Sequence, residues 1–350
     1  MDGESARPAP SRQPESAPTG FDLTTPGTAA VSRWGLTKAS LAGDFCYSFG
    51  LMADGSKAAS GFPPLSPIVL VTGKGGVGKT TLAAGLAEAA AKRDGRAVLV
   101  EFGDGESGRR VLGPRSRVQH EVVEPKDALE HSVARLLGSK ILAKLFIGNF
   151  AVRRMLRAAP ALRELAMLDA VGQIADKAKG KRVVVDMPAT GHGLAWLRLP
   201  MQMRDLFGSG GLFELSERLV HRLVAPRECS VVVVTLPERM VLQETLELCG
   251  ALEREVGMPA ARLVVNRFPA PLPEGAIAQA QALSRGALAE PGAKLLELLE
   301  AREAARTEAI DTLRDAPTLG LGLRALLLPQ AAFDPSAGQV ADWLLQEHAA

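Results

Sequence analysis

Residues 73–81 read Gly-Lys-Gly-Gly-Val-Gly-Lys-Thr-Thr and directly follow the apolar run at 68–72. The first eight fit the pattern G-x-x-x-x-G-K-[ST], in which a glycine-rich loop joins a strand to a helix. Glycines allow positive φ angles and close approach, so successive backbone N–H groups can surround a phosphate. The stretch therefore predicts a nucleotide-phosphate loop made by Gly73, Gly75, Gly76, Val77, Gly78, Lys79, Thr80 and Thr81.

Two side chains of this loop are expected to act directly on the nucleotide. Lys79 should bridge the β- and γ-phosphates, and the Thr80 hydroxyl should bind Mg²⁺. ATP and Mg²⁺ are therefore the expected cofactors.

The rest of the chain alternates short β-branched runs with helical stretches, which is typical of parallel strands covered on both faces. The sequence predicts an α/β P-loop NTPase fold with a mostly parallel, doubly wound sheet and an inserted helical subdomain. The expected strands are Ile68–Val71, Ala97–Phe102, Arg182–Asp186, Ser230–Thr235, Arg262–Asn266 and Ala325–Leu328, with helices at Thr80–Arg93 and near Val340–Gln346.

Composition divides the 350 residues into two parts. Residues 1–64 are rich in Pro, Ala, Ser, Gly and Thr, which predicts a disordered leader before an ATPase domain at 65–350. Apolar and basic residues alternate at helical spacing over 136–174, which predicts a helical insertion at about 110–180. The family resemblance described below implies that residues at about 201–226 belong to this insertion as well. Its methionines can line a groove for an apolar client helix or can simply belong to the core; they are Met155, Met167, Met201 and Met203.

Charge and cysteine content exclude several classes of partner. The 41 basic and 39 acidic residues nearly balance, so no nucleic-acid partner is expected. No apolar run reaches the roughly 20 residues that a membrane-spanning helix needs, and no secretory signal is recognisable, so the cytoplasm is the expected compartment. The widely spaced Cys46, Cys229 and Cys249 contain no C-x-x-C pair and are expected to be reduced structural thiols.

Asp186 ends an apolar strand, where an acidic residue can hold Mg²⁺ through water. The segment that follows, Asp-Met-Pro-Ala-Thr-Gly-His at 186–192 with Leu199-Pro200, resembles the D-T-A-P-T-G-H-T…L-P segment of the arsenite-transporting and tail-anchored-protein-targeting ATPase family. The resemblance implies a second switch region, which senses the γ-phosphate. Its expected residues are Pro188, Thr190, Gly191 and His192.

Lys74 is poorly placed for the phosphates of its own loop, but a lysine there can reach a nucleotide in a second subunit. The stretch KGGVGKTT resembles the deviant Walker A motif of dimerising ATPases, which include the Min and Par partition proteins, nitrogenase iron protein and arsenite-pump ATPases. This resemblance implies that Lys74 is a catalytic residue acting between the subunits of a homodimer.

The family also carries a water-orienting aspartate just beyond the second strand, in the first switch region. Here residues 101–106 read Glu-Phe-Gly-Asp-Gly-Glu and lack the family's D-P-A-H. Asp104 is the first candidate for that role and Glu106 the second, although both residue types are also common in turns. The departure concerns hydrolysis rather than nucleotide binding.

ATP is favoured over GTP because Asn-Arg-Phe-Pro at 266–269 has no aspartate to accept the guanine hydrogens. By resemblance, Asn266 and Pro237, in Thr-Leu-Pro-Glu, are expected beside the adenine. Asn266 can alternatively cap a turn.

The sequence thus predicts an ATP-hydrolysing dimeric switch with an unidentified client, such as an apolar helix or a membrane protein. A partition-type regulator and a switch with weak hydrolysis remain alternatives. A partition-type regulator would be expected to end in a basic amphipathic helix, whereas residues 340–347 are acidic. A P-loop kinase is disfavoured by Lys74 and the 186–192 segment.

Overall fold

The computed structural model describes residues 47–49, 64–139, 141–142, 148–149, 160–188, 193–286, 288–316 and 325–346. The described strands are β1 Tyr47–Phe49, β2 Ile68–Gly73, β3 Ala97–Phe102, β4 Gln119–Val123, β5 Arg182–Asp186, β6 Cys229–Thr235, β7 Arg262–Phe268 and β8 Ala325–Pro329. The described helices are α1 Lys79–Asp94, α2 Glu106–Leu112, α3 Pro125–Leu136, α4 Pro160–Lys177, α5 Gly193–Phe207, α6 Gly211–Leu223, α7 Arg239–Ala251, α8 Ala276–Ser284, α9 Ala289–Arg314 and α10 Ala337–Gln346. A π-helical turn, Leu252–Val256, continues α7.

The strands form one sheet in the order β1-β8-β7-β6-β2-β5-β3-β4. β1 pairs with β8 in the antiparallel direction, and the other neighbours are parallel. The strand before the phosphate loop, β2, lies between β6 and β5. The carboxyl ends of these strands therefore meet at one edge of the sheet, where α/β proteins bind ligands.

Alternate residues of the central strands enter two separate cores, as the period of a β-strand requires. Ile68 and Leu70 of β2 pack with α4, α5, α6, α7 and α9, whereas Val69 and Val71 pack with α1 and α10. Helices therefore cover both faces, and the prediction of a mostly parallel, doubly wound α/β sheet is confirmed.

The expected strands are all present, but the sequence analysis missed β1 and β4. β4 reads Gln-His-Glu-Val-Val and lies at the end of the sheet, where only Val123 is fully buried. An edge strand of this kind lacks the continuous apolar run that marks central strands. β1, three residues long, falls within the segment expected to be a leader; the remainder of that segment up to residue 63 lies outside the described residues.

The domain limits at 64 and 65, and the limits of the helical insertion, stay predictions. Within 110–180 the structure places the edge strand β4 as well as α3 and α4. No helix in the described ranges combines the length and apolarity needed to cross a lipid bilayer.

Candidate nucleotide-binding site

The phosphate loop connects β2 to α1 at the carboxyl edge of the sheet. Gly73, Gly76 and Gly78 have positive φ angles of 148°, 81° and 94°. A Cβ added at Gly78 would overlap the side-chain amide of Asn266, so glycine is also required there by close packing. The loop thus has the backbone conformation that lets N–H groups converge on an anion, at the N-terminus of a 16-residue helix.

Lys79 is the first residue of α1, and its side chain lies under the loop. Its Nζ donates a hydrogen bond to the carbonyl oxygen of Lys74 at 2.9 Å, and the residue is only 6% exposed. Burial lowers the pKa of the Lys79 ammonium, and the nearby charge of Asp186 opposes that shift. A largely desolvated ammonium with one carbonyl partner is prepared to bind an incoming phosphate.

Thr80 and Asp186 join the phosphate loop to the end of β5. The Thr80 hydroxyl donates to Asp186 Oδ2 at 2.5 Å, while Asp186 Oδ1 is buried and has no hydrogen-bond partner among the described residues. Mg²⁺ binds oxygen ligands of these types and keeps several waters. A hydroxyl beside a carboxylate with one unsatisfied oxygen therefore fits a Mg²⁺ site that Thr80 binds directly and Asp186 through water.

Burial raises the pKa of Asp186 to about 6. The neighbouring charge of Glu101 adds to this shift, whereas the hydrogen bond from Thr80 and the charge of Lys79 oppose it. The carboxylate is thus costly to ionise until a cation reaches the site.

Asp186 is expected to destabilise the nucleotide-free protein at neutral pH. Its pKa in the folded state lies above the ordinary value of 3.8, so its contribution to stability is fully present below pH 3.8 and is lost as the pH rises to about 6. With 1.36 kcal/mol per pKa unit, the loss is on the order of 2–3 kcal/mol. Asp186→Asn, which keeps an acceptor for Thr80 but no charge, should remove this loss. Urea unfolding in EDTA from about pH 4.5 to about pH 7.5 measures it. If the difference in the free energy of unfolding between the two proteins stays constant with pH, the raised pKa of Asp186 is contradicted.

The predicted first switch region begins at the end of β3. Asp104 is exposed, and its Oδ1 accepts a hydrogen bond from the Glu106 amide at 3.0 Å, so it caps the turn that starts α2. Glu106 is exposed as well. Neither carboxylate bonds the phosphate loop within the described residues, and their assignment to water orientation stays a prediction.

Glu101 is a site residue that the sequence analysis missed. It is 7% exposed, and it lies opposite Asp186 in the register of β3 and β5. Its Oε2 accepts hydrogen bonds from the Gly108 amide and from His120. The available signal was an acidic residue in the otherwise apolar strand Ala-Val-Leu-Val-Glu-Phe.

Asn266 lies near the carboxyl end of β7, and Pro237 follows the neighbouring strand β6. Asn266 Nδ2 donates to the carbonyl oxygen of Val77 at 2.9 Å, which ties the end of β7 to the phosphate loop. Arg267, next in the chain, has a positive φ of 56°. Both predicted base-contacting residues thus lie at the same edge as the loop, and contact with adenine stays a prediction.

Lys74 lies on the outer side of the loop. Its Nζ is 2.7 Å from Glu244 Oε2 on α7, and the two side chains are 55% and 52% exposed. An ion pair as exposed as this one contributes little to stability and can open readily. The structure thus turns the amine away from the Lys79 pocket and toward the surface.

The predicted second switch region is only partly described. Pro188 follows Asp186 and is half-buried, while the predicted Thr190, Gly191 and His192 lie outside the described residues. The helix after this region, α5, contacts the last residue of β3 through Trp196. The rings of Phe102 and Trp196 meet edge to face with centroids 5.2 Å apart. The segments that flank the two predicted switch regions are therefore in direct contact.

Cys229 and Cys249 are buried, and burial raises the pKa of both thiols. Neutral, inaccessible thiols are poor ligands for soft metals. In the described residues no group of three or more His, Cys, Asp and Glu side chains is arranged to hold a metal ion. Of the four methionines considered for a groove, Met167 is buried, Met201 and Met203 pack at the edge of the core, and Met155 lies outside the described residues.

Comparison with known proteins agrees with a nucleotide-binding site. A family model described as the CobQ/CobB/MinD/ParA nucleotide binding domain matches residues 68–309. The chain is 30% identical over 234 residues to "ATPase BagA" of Mycobacterium tuberculosis, which is 60% of this chain and 68% of that protein. It is 29% identical over 193 residues to the "Arsenical pump-driving ATPase" of Acidiphilium multivorum, which is 53% of this chain and 32% of that protein. The chain is 28% identical over 193 residues to a protein of the same name from Escherichia coli, with the same coverage. The resemblance predicted from the two motifs is confirmed, although the match spans about a third of the arsenical pump proteins.

Proposed function

Because the chain belongs to the family of CobQ/CobB/MinD/ParA nucleotide-binding domains and is an ATP hydrolase of that family, we propose that it works as a homodimeric switch gated by ATP and Mg²⁺. The observation that carries this proposal is that two lysines of one loop lie in different environments. Lys79 lies under the loop beside Asp186, and Lys74 extends outward to an exposed partner.

The proposed binding step begins with an exchange of partners at Lys79. The ammonium leaves the Lys74 carbonyl and bonds the phosphates, while the N–H groups of residues 75–80 surround the β-phosphate. Thr80 and Asp186 hold the cation, which supplies neutralisation of phosphate charge when bound. Asn266 keeps the loop against β7 and, with Pro237, lies beside the adenine.

The proposed catalytic step uses the second subunit. Lys74 leaves Glu244 and places its amine against the triphosphate of the partner subunit, as an arginine finger supplied in trans does. Asp104, or Glu106 in its place, orients the attacking water. This makes the loop a deviant Walker A motif, and it makes hydrolysis depend on dimer closure.

The client surface proposed for this switch is apolar. At the end of α3 and beyond it, and at the end of α5, large apolar side chains are 40–74% exposed: Leu136, Leu137, Ile141, Leu142, Leu206 and Phe207. Leu136 lies against Gly211 at the start of α6, which follows α5 closely. Apolar side chains clustered in this way are typical of an interaction site, and an amphipathic or apolar helix fits such a surface.

A single sedimentation experiment with a fluorescently labelled apolar helical peptide tests both parts of the proposal. With a non-hydrolysable ATP analogue and Mg²⁺, the 36.9 kDa chain should sediment at about twice its mass and carry the peptide. With ADP it should remain monomeric. The variant Leu206→Asp/Phe207→Asp should still dimerise but should lose the peptide. A protein that stays monomeric with the analogue would overturn the dimeric switch, and a dimer that ignores the peptide would overturn the apolar client.

A further inference from the structure

Glu101 is a buried carboxylate next to the cation site, and the proposed hydrolysis does not use it. It is the fifth residue of β3, and Asp186 is its partner on β5, so the two side chains leave the sheet on the same face. Two carboxylates on neighbouring strands repel each other in the absence of a cation. The arrangement thus places a second acidic group beside the one that is proposed to hold Mg²⁺.

The Glu101 carboxylate is held by groups from two other elements. The Gly108 amide of α2 donates to Oε2 at 2.9 Å. His120 Nε2 on β4 lies 3.1 Å from the same oxygen and is the donor, because a carboxylate only accepts. One buried oxygen atom therefore connects β3 with α2 and β4.

Gly108 is required by this contact. A Cβ added there would overlap Glu101 Oε2 and would lie 3.0 Å from His120 Nε2. Only a glycine lets the backbone of α2 approach the carboxylate closely enough to donate. Glu101 and Gly108 thus fit each other closely. Asp104, by contrast, is exposed and bonds only the adjacent turn within the described residues.

We propose that Glu101 is a positioning residue that ties α2, which follows the first switch region, to the Mg²⁺ site at Asp186. With the repulsion between the two carboxylates offset by a bound cation, the hydrogen bond from Gly108 to Glu101 would be strengthened, and the turn at 103–107 would be held more firmly between β3 and α2. Nucleotide with Mg²⁺ orders this turn, whereas nucleotide alone does not. This inference rests on the proposed function, because it assumes that ATP and Mg²⁺ bind at the phosphate loop.

Hydrogen exchange and nucleotide binding, measured on the full chain, test the inference. The exchange of amides in 103–112 is followed in the nucleotide-free protein and with the non-hydrolysable ATP analogue, in EDTA or in Mg²⁺. The affinity for a fluorescent ATP analogue is measured under the same two conditions. We expect Mg²⁺ to slow exchange in the wild-type protein by about tenfold or more, because relief of the repulsion between Glu101 and Asp186 strengthens the existing charge-assisted hydrogen bond from Gly108.

Glu101→Gln keeps the shape but removes the charge. It should abolish most of the Mg²⁺-dependent slowing and reduce the gain in nucleotide affinity from Mg²⁺, taken as the ratio of the affinities in Mg²⁺ and in EDTA, by about tenfold. Gly108→Ala perturbs the same contact without altering the carboxylate and should also lose the slowing. Glu124→Gln, an exposed carboxylate directly after β4, serves as the matched control and should behave as wild type.

The outcomes separate this inference from the proposed function. If the wild-type protein binds the analogue and Glu101→Gln matches it in both exchange and Mg²⁺ dependence, the positioning role is wrong and the nucleotide site stands. If Glu101→Gln does not fold, wild-type exchange in Gly108→Ala overturns the role equally. A wild-type protein that fails to bind the analogue under either condition refutes the nucleotide site itself.

Discussion

Lys79→Ala is expected to weaken ATP binding by about two orders of magnitude and to reduce hydrolysis to background. The lost ammonium is buried and would make charge-assisted bonds to two phosphates, each typically stronger than a neutral hydrogen bond. A hundredfold change corresponds to about 2.7 kcal/mol. Calorimetric titration of the nucleotide-free protein with ATP and Mg²⁺ measures it.

The same substitution should have little effect on the stability of the nucleotide-free protein. Burial lowers the pKa of Lys79, which means that the folded environment disfavours its charge. The melting temperature of Lys79→Ala should therefore stay close to that of wild type.

Lys92→Ala is the matched control, because Lys92 lies on the same helix and pairs with the exposed Asp342. It should bind ATP as wild type does. Equal ATP affinity in Lys79→Ala and wild type would contradict the site.

Features carried by short local patterns could be predicted from the sequence. The central strands are continuous runs of Val, Ile and Leu, which is the pattern expected of a strand buried on both faces of the sheet. The phosphate loop is local as well, since its glycines, Lys79 and Thr80 are adjacent in the chain. The predicted helix at Thr80–Arg93 differs from the observed Lys79–Asp94 by one residue at each end. The link from Thr80 to Asp186, which spans 106 positions, was reached because both residues belong to recognisable motifs.

Features that depend on the register of distant elements could not be predicted. Glu101 acquires its role only because β3 pairs with β5 so that residues 101 and 186 are opposite each other. His120 reaches it from an edge strand that has no apolar run. The pairing of Lys74 with Glu244 joins residues 170 positions apart. No sequence pattern around either residue indicates that the other is its partner. The periodicity of apolar residues indicates where a helix or strand lies, whereas these contacts depend on how the strands and helices pair in the fold.

Lys74→Ala is expected to lower the rate constant for hydrolysis by about 10³ while ATP affinity stays within about twofold of wild type. The reason is the position of the side chain, which is exposed and bonds Glu244 rather than the pocket of its own loop. A group that acts only on the partner's triphosphate affects turnover more than binding. Single-turnover hydrolysis together with a separate binding measurement checks the two quantities.

Glu244→Ala is the control for this variant. It removes the surface partner of Lys74 but leaves the amine in place, and an exposed pair of this kind is worth less than about 1 kcal/mol. Hydrolysis should be retained, and it should rise if opening of the pair limits closure of the dimer. A large loss of activity in Glu244→Ala would indicate that the pair itself, rather than the free amine, is required.

Complementation between two inactive variants tests the shared site most directly. Lys74→Ala subunits keep a complete nucleotide pocket but donate no amine, whereas Lys79→Ala subunits keep Lys74 but bind ATP about a hundredfold more weakly and do not hydrolyse it. Hydrolysis per Lys74→Ala subunit is measured while Lys79→Ala subunits are added to about a tenfold excess, at ATP and protein concentrations where sedimentation shows the two variants in a common dimer. If Lys74 acts on the partner's nucleotide, the rate should rise from background toward that of wild type. A rate that stays at background throughout the titration would contradict the dimeric mechanism.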